Sequence, residues 1–196
     1  EPGIPNFQSS ETMSGMYNLD PEVKFWATPP IHGCLRESFV HPGILTFKLP
    51  DNVSFEEGAA VEPVAIGMYS AKKAQIEPGD IALVMGAGTI GIVTAISALA
   101  SGCSKVIITD IKDDKLDIVR KNYPSITCVN ASKENLQEII DNNTTNGVDI
   151  FFEATGARNI LSTFTSMVKP GGKAVLIGMP IEPVKLDVVG CQAKEI

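Results

Sequence analysis

The residues best suited to chemistry lie in the run Gly86-Ala87-Gly88-Thr89-Ile90-Gly91, followed by an acid, Asp110, nineteen residues beyond Gly91. A glycine triplet of this spacing is a common turn, and its specificity comes from context. Here a predicted strand precedes it, a predicted helix follows it, and the acid ends the next predicted strand. Gly86 permits the tight turn, Gly88 lets the backbone approach a pyrophosphate, and Gly91 lets the helix pack close to the sheet. The helix N-terminus offers free N–H groups and a partial positive charge to phosphates. A carboxylate at Asp110 can accept both ribose hydroxyl protons of NAD and would repel the 2′-phosphate of NADP, which favours NAD. Lys112 and Lys115 act in the opposite sense, because either could reach an adenosine phosphate. An S-adenosylmethionine site, which also uses a glycine turn and a ribose-binding acid, is the alternative, although the full spacing suits a pyrophosphate better.

Two further carboxylates interrupt apolar runs. Glu62 lies between Ala59-Ala60-Val61 and, after Pro63, Val64-Ala65-Ile66; Glu153 ends Ile150-Phe151-Phe152. A buried carboxylate is costly unless paired, coordinated or protonated, so Glu62 is either a helix-end ion pair or a metal neighbour. Glu153 poses the same question at the carboxyl edge of a sheet, where ligands bind. His32 and His41 stand in proline-rich loop context, and with Cys34 they fall short of a zinc ligand set. The four cysteines, Cys34, Cys103, Cys128 and Cys191, contain no C-x-x-C, the usage of a reducing compartment.

The 196 residues carry a net charge of −7 and 44% hydrophobic residues, enough for a packed core. Such a balance disfavours nucleic acid and anionic membrane surfaces, and the most basic stretch, 112–121, interleaves Asp113, Asp114 and Asp117 with its cations. The uncharged run 81–104 is long enough to span a bilayer, but Gly86, Gly88, Gly91 and Gly102 divide it into strand, turn and helix. The start, Glu1-Pro2-Gly3-Ile4-Pro5, has no secretory pattern.

Eight of the thirteen prolines fall in the first 63 residues, where strands are predicted over 35–41 and 45–49. Ser54-Phe55-Glu56-Glu57 predicts a capped short helix toward Ala60, and a longer helix is predicted from about Pro63 to Gln75. From Ile81 the chain alternates: strands over 81–85, 105–109, 127–129, 148–153 and 173–178, and helices over 89–100, 113–121, 133–142 and 158–168. Lys169-Pro170-Gly171-Gly172 is expected to stop the last helix. This rhythm predicts an α/β fold, a doubly wound parallel sheet of Rossmann type with helices on both faces.

Taken with Tyr17-Asn18-Leu19, Phe25-Trp26-Ala27-Thr28-Pro29-Pro30, Lys48 to Ser54, Glu57-Gly58-Ala59, Val61-Glu62-Pro63, Phe152 to Gly156 and Pro170-Gly171-Gly172, the chain resembles the zinc-dependent medium-chain polyol dehydrogenases over essentially its whole length. Pro29 to Leu35 and Gly178-Met179-Pro180 are similar to the xylitol and sorbitol dehydrogenase branch. The resemblance implies part of a GroES-like β-rich catalytic domain over 1–67 and an NAD-binding Rossmann domain over 68–196, its sixth strand missing or incomplete. It implies zinc-assisted oxidation of an open-chain polyol to a ketose with hydride passing to NAD, in a cytoplasmic homotetramer. It places Glu62 beside the zinc, as ligand or holding its water, and Phe25 and Thr28 in the substrate pocket. Ile90, Asp110 and Lys115 fall along the dinucleotide, Lys115 where relatives often carry Arg. Thr155, Gly178 and Met179 fall at the nicotinamide end.

Departures accompany the matches. The family's first zinc ligands, a cysteine and a Gly-His-Glu segment, have no counterpart here, and neither does the four-cysteine zinc lobe of many relatives. The chain is therefore expected to be the middle of a longer enzyme. Alone, it is expected to expose apolar edges, to bind zinc poorly and to have little dehydrogenase activity. The competing hypothesis for this chain is a dinucleotide-binding module without catalysis.

Overall fold

A computed structural model describes residues 2–196, which divide into two compact units, the first ending at Ala59 and the second running from Ala60 to Ile196.

In the first unit, β1 (Gly3–Ile4) pairs antiparallel with β2 (Lys24–Phe25), Gly3 opposite Phe25. Helix α1 (Ser10–Met13) starts at Ser9, whose hydroxyl accepts the Thr12 N–H. The buried Asp20 carboxylate accepts the backbone N–H groups of Asn6 and Glu22 and so ties the two arms of this hairpin-like loop together. The strands expected over 35–41 and 45–49 do not form; the only regular element there is a 3-10 turn, Gly43–Leu45. Leu35, Val40 and Phe47 are exposed, and no strand of this unit pairs with their backbone among the described residues. An alternating sequence becomes a strand only where a neighbour takes its N–H and C=O groups.

The two helices expected around 54–75 are one, α2 (Phe55–Ala74), with Pro63 inside it. Its start is a reciprocal capping box: Ser54 Oγ accepts the Glu57 N–H at 3.2 Å, and Glu57 Oε2 accepts the Ser54 N–H at 2.8 Å. The Ser54 N–H, then its hydroxyl, hold the Glu57 carboxyl below its usual pKa. The helix ends at Gln75 in the left-handed region (φ 50°).

The second unit is built on five parallel strands, β3 (Ile81–Met85), β4 (Lys105–Asp110), β5 (Ile126–Asn130), β6 (Val148–Glu153) and β7 (Val168–Leu176), in the order β5-β4-β3-β6-β7. Alternate residues feed opposite faces. Val84, Ile108 and Phe152 pack with α3 (Thr89–Ala100) and α4 (Asp113–Asn122) on one side. Leu83, Ile107 and Phe151 pack with Ile140 of α5 (Leu136–Asn143) and with Phe164 on the other. Burial on both faces explains why these strands are continuous apolar runs. The uncharged run 81–104 is β3, the glycine turn, the whole of α3 and the turn after it, and no helix among the described residues is long and apolar enough to cross a membrane.

Three boundaries differ from expectation. Helix α5 begins at Leu136 and not at Lys133, because the Asn130 side chain accepts the Ser132 N–H and hydroxyl and turns the chain there. Instead of one helix over 158–168 there is α6 (Arg158–Leu161) followed by a 3-10 turn, Phe164–Ser166. The Ser162 and Thr163 hydroxyls bond back to the Asn159 carbonyl at this break. Pro170-Gly171-Gly172 is not a stop: it lies within β7, where the pairing with β6 shifts register between Val148 and Ile150. A further helix not expected from the sequence, α7 (Val188–Lys194), follows β7, and Lys194 Nζ donates to the carbonyls of Thr165 and Val168.

All four cysteines are free. Burial, then the charges of Asp80 and Asp149, push the Cys103 thiol up to about 12. At pH 8 a thiol reagent should therefore modify exposed Cys34 quickly and Cys103 only after denaturant is added. Mass-spectrometric mapping of the labelled peptides against time checks this.

Candidate dinucleotide site

Strand β3 lies between β4 and β6, so the chain leaves it first to one side and later returns on the other. The carboxyl ends of β3 and β6 thus flank a topological switch point, the place where open α/β sheets bind ligands.

The turn leaving β3 is fixed by its glycines. Gly86 has φ 100°, a left-handed conformation that side chains disfavour, and its N–H donates to the Thr109 carbonyl at 2.7 Å, locking the turn to β4. A Cβ on Gly91 would lie 1.8 Å from the Gly86 carbonyl oxygen, so α3 rests directly on the turn. Gly88 differs from both: a Cβ there would meet no atom within 4 Å. Gly88 is also the N-cap of α3, with no side chain capping it, and the first helical bond is Ile92 N–H to Gly88 C=O at 2.9 Å. The N–H groups of Thr89, Ile90 and Gly91 precede that bond and have no carbonyl acceptor within the helix, and the space beside Gly88 is open. Uncapped donors at the positive end of a twelve-residue helix, with a clear approach, fit a pyrophosphate.

Asp110 ends β4 beside this turn. Its Oδ2 accepts the Ala87 N–H at 2.9 Å, and its Oδ1 accepts the N–H groups of Ile111 at 2.8 Å and Lys112 at 3.1 Å. Lys115 Nζ stands 3.6 Å from Oδ2. Burial raises the Asp110 pKa, but the Ala87 and Lys112 N–H groups, the Lys115 charge and the Ile111 N–H outweigh it, and the net position is below the ordinary 3.8. A carboxylate has about four lone-pair positions, so three N–H donors leave one on Oδ2, the oxygen that Lys115 Nζ also approaches. The charge that would repel a 2′-phosphate is therefore held firmly ionised, while Lys115 partly offsets it. Lys112 donates from its backbone; its side chain joins no ion pair among the described residues.

The opposite side of the switch point is organised by Glu153, fully buried at the end of β6. Its Oε1 accepts the Thr155 hydroxyl and, at 2.8 Å, the Thr155 N–H; Gly156 N–H lies 2.9 Å from Oε2. Thr155, Gly178 and Met179 all lie at this end, Met179 being almost fully exposed. The role of Glu153 does not follow from its place in the sequence alone. The usable signal was the Thr-Gly pair two and three residues after an acid that closes a buried strand, which places N–H and O–H donors within reach of the carboxylate.

The remaining candidates are exposed. Glu62 is an exposed residue of α2 and joins no ion pair among the described residues, so the expectation of a carboxylate buried in an apolar run is corrected: the apolar residues around it, Val61, Val64 and Ile66, are themselves exposed. Phe25 and Thr28 belong to the first unit, where both are exposed and the Thr28 N–H donates to the Phe25 carbonyl at 3.3 Å. Among the described residues no three His, Cys, Asp or Glu side chains gather closely enough to hold a metal, so these residues alone do not fit a four-coordinate zinc.

Several known proteins are similar to this chain. A D-xylulose reductase of Morganella morganii is 55% identical over 198 residues, covering all of this chain and 58% of the relative. A sorbitol dehydrogenase of Arabidopsis thaliana is 37% identical over 208 residues, covering 97% of this chain and 56% of the relative. Among solved structures, an Escherichia coli oxidoreductase/dehydrogenase of unknown specificity superposes with a TM-score of 0.90 at 30% identity, over 97% of this chain and 55% of that one. The chain thus spans a little over half the length of the relatives it matches. The profile described as zinc-binding dehydrogenase matches residues 89–196, from the first turn of α3 through α7. With more than half its residues in that match, on a parallel sheet whose glycine turn and strand-end acid meet at the switch point, this chain belongs to the zinc-binding dehydrogenase family.

Proposed function

We propose that the protein carrying this chain is an NAD-dependent polyol dehydrogenase that oxidises xylitol or a sorbitol-like polyol to the corresponding ketose. The observation that carries the reading is the open, uncapped α3 N-terminus at Gly88 beside the ionised Asp110. Bound NAD supplies the acceptor for the hydride. The chain's own residues bind and orient it. The Thr89, Ile90 and Gly91 N–H groups hold the pyrophosphate, and the free position on Asp110 Oδ2 takes a ribose hydroxyl. Lys115 steadies that carboxylate, and Thr155, Gly178 and Met179 border the nicotinamide half. The relatives named D-xylulose reductase and sorbitol dehydrogenase support a polyol as substrate.

In this reading 68–196 is the NAD-binding Rossmann domain, and 1–67 is part of a GroES-like catalytic domain in which Phe25 and Thr28 line the substrate pocket. Glu62 is the zinc neighbour, as ligand or holding its water. One carboxylate supplies one of the four ligands zinc takes, so the described residues assign the ion no step. A cytoplasmic homotetramer completes the proposal, supported by the four free cysteines for the compartment and by the relatives for the class of enzyme.

Parallel calorimetric titrations with NAD and NADP test it. NAD should bind with a dissociation constant about tenfold or more below that of NADP, the value of one charge-assisted hydrogen bond. Binding of neither dinucleotide would overturn the reading.

A further inference from the structure

Glu153 is the one fully buried carboxylate of the second unit, and no lysine or arginine pairs with it among the described residues. Its carboxyl oxygens accept only uncharged donors from a single turn: the Thr155 N–H, the Thr155 hydroxyl and the Gly156 N–H. The Thr155 hydroxyl in turn accepts the Ala157 N–H at 2.9 Å, extending the order to the start of α6. The same residue also holds the loop after β7, because its backbone carbonyl accepts the N–H groups of Ile177 at 2.8 Å and Gly178 at 2.9 Å. The two loops are then in intimate contact. A Cβ on Gly178 would lie 2.2 Å from Gly156 N and 2.6 Å from Glu153 Oε2, and a Cβ on Gly156 would lie 2.9 Å from the Met179 carbonyl oxygen.

On the reading above, a dinucleotide with its adenosine at Asp110 on β4 and its pyrophosphate at α3 has only one direction left across the sheet. Its second nucleoside must lie over the ends of β6 and β7. We propose that Glu153 is the positioning residue for that nicotinamide half. It does not reach the cofactor itself: it sets the Thr155-Gly156 turn and the Gly178-Met179 loop at the spacing that receives the ring. The inference rests on the dinucleotide reading and adds to it a residue that acts on one half of the ligand. A buried carboxyl group at this point is more than packing requires, since an apolar side chain would fill the same volume without a desolvation cost. What the apolar side chain could not do is hold three donors of one turn in a fixed fan.

Glu153→Gln tests this with NADH and ADP as paired probes, ADP carrying only the adenosine and pyrophosphate. The glutamine keeps the size but turns an N–H₂ toward donors that need an acceptor. NADH should bind about tenfold more weakly, while ADP affinity stays within about twofold of wild type. Equal loss for both probes would mean a general structural role and overturn the assignment, as would unchanged affinity for both. Circular dichroism and the melting temperature report whether the variant folds. If it does not, Thr155→Val, which removes one donor at nearly constant volume, decides in its place: weaker NADH binding with unchanged ADP binding supports the assignment, and unchanged binding of both overturns it. Wild-type protein that binds neither probe would overturn the dinucleotide reading itself, a result distinguishable from failure of the Glu153 assignment alone.

Discussion

Gly88→Ala should leave the fold intact and remove most NAD binding, whereas Gly91→Ala should damage the fold itself. The two glycines are three residues apart in the same turn, and what a methyl group would meet at each separates them. At Gly88 a Cβ enters space with no atom within 4 Å, and the backbone (φ −76°, ψ −179°) is one any residue adopts. Alanine is a poorer N-cap than glycine, so stability should fall by about 1 kcal/mol or less. The methyl would occupy the approach of the pyrophosphate to the Thr89, Ile90 and Gly91 N–H groups, and NAD affinity should fall about tenfold to a hundredfold, 1.4–2.8 kcal/mol. At Gly91 the methyl would lie 1.8 Å from the Gly86 carbonyl oxygen and 2.8 Å from its carbon. Backbone cannot yield as a flexible side chain can, so overpacking should cost about 3 kcal/mol or more, offset by only about 1 kcal/mol of improved helix propensity. Urea unfolding of both variants beside NAD calorimetry reads out the contrast. A Gly88→Ala variant with wild-type NAD affinity would show that the turn is structural only.

Asp110→Asn should erase most of the preference for NAD over NADP, by about 1–3 kcal/mol, through loss of the negative charge facing the 2′ position. Asparagine is the informative replacement because the carboxylate also holds the Ala87, Ile111 and Lys112 N–H groups. An amide oxygen can keep some of those bonds, while glycine would free all three and confound specificity with disorder of the turn. The pH dependence follows from the same contacts. The folded pKa of Asp110 lies below the ordinary 3.8, so its contribution to stability is fully present above about pH 4 and is lost as pH falls through the lower folded value. The NAD preference should hold across neutral pH and collapse only at pH values where the carboxyl protonates. Paired NAD and NADP titrations of wild type and variant at pH 7 and at the lowest pH the fold tolerates measure both effects. An unchanged NAD:NADP ratio in the variant would leave Asp110 as a structural acceptor only.

Much of the Rossmann half could be read locally, because its determinants are local. Ile81–Met85, Thr89–Ala100 and Val148–Glu153 form as expected, since a buried parallel strand and a small-residue helix are written in runs of consecutive side chains. The glycine turn and Asp110 belong to the same class: Gly91 answers to the Gly86 carbonyl five residues away, and Asp110 ends the neighbouring parallel strand. The Ser54–Glu57 capping box was legible for the same reason, although the single helix it opens, running through Pro63, was not.

The errors have a common source in pairing and exposure, which no window of sequence contains. Residues 35–41 and 45–49 have the alternation of strands but no partner strand to accept their backbone groups. Pro170-Gly171-Gly172 looks like a terminator and is a bulge, because β6 supplies the hydrogen bonds that carry β7 past it. Glu62 sits among apolar residues in sequence yet is exposed, since apolar neighbours along a helix do not bury a side chain unless another element covers that face. Glu153 is the converse. Its identity and its place at a strand end were evident from the chain alone, but its burial and its grip on two loops arise from β7 lying beside β6, a contact between segments more than twenty residues apart. Local side-chain order was enough to specify the elements and the phosphate-binding turn; which carboxylate is covered, and which loops it joins, depends on strands that find one another only when the sheet has closed.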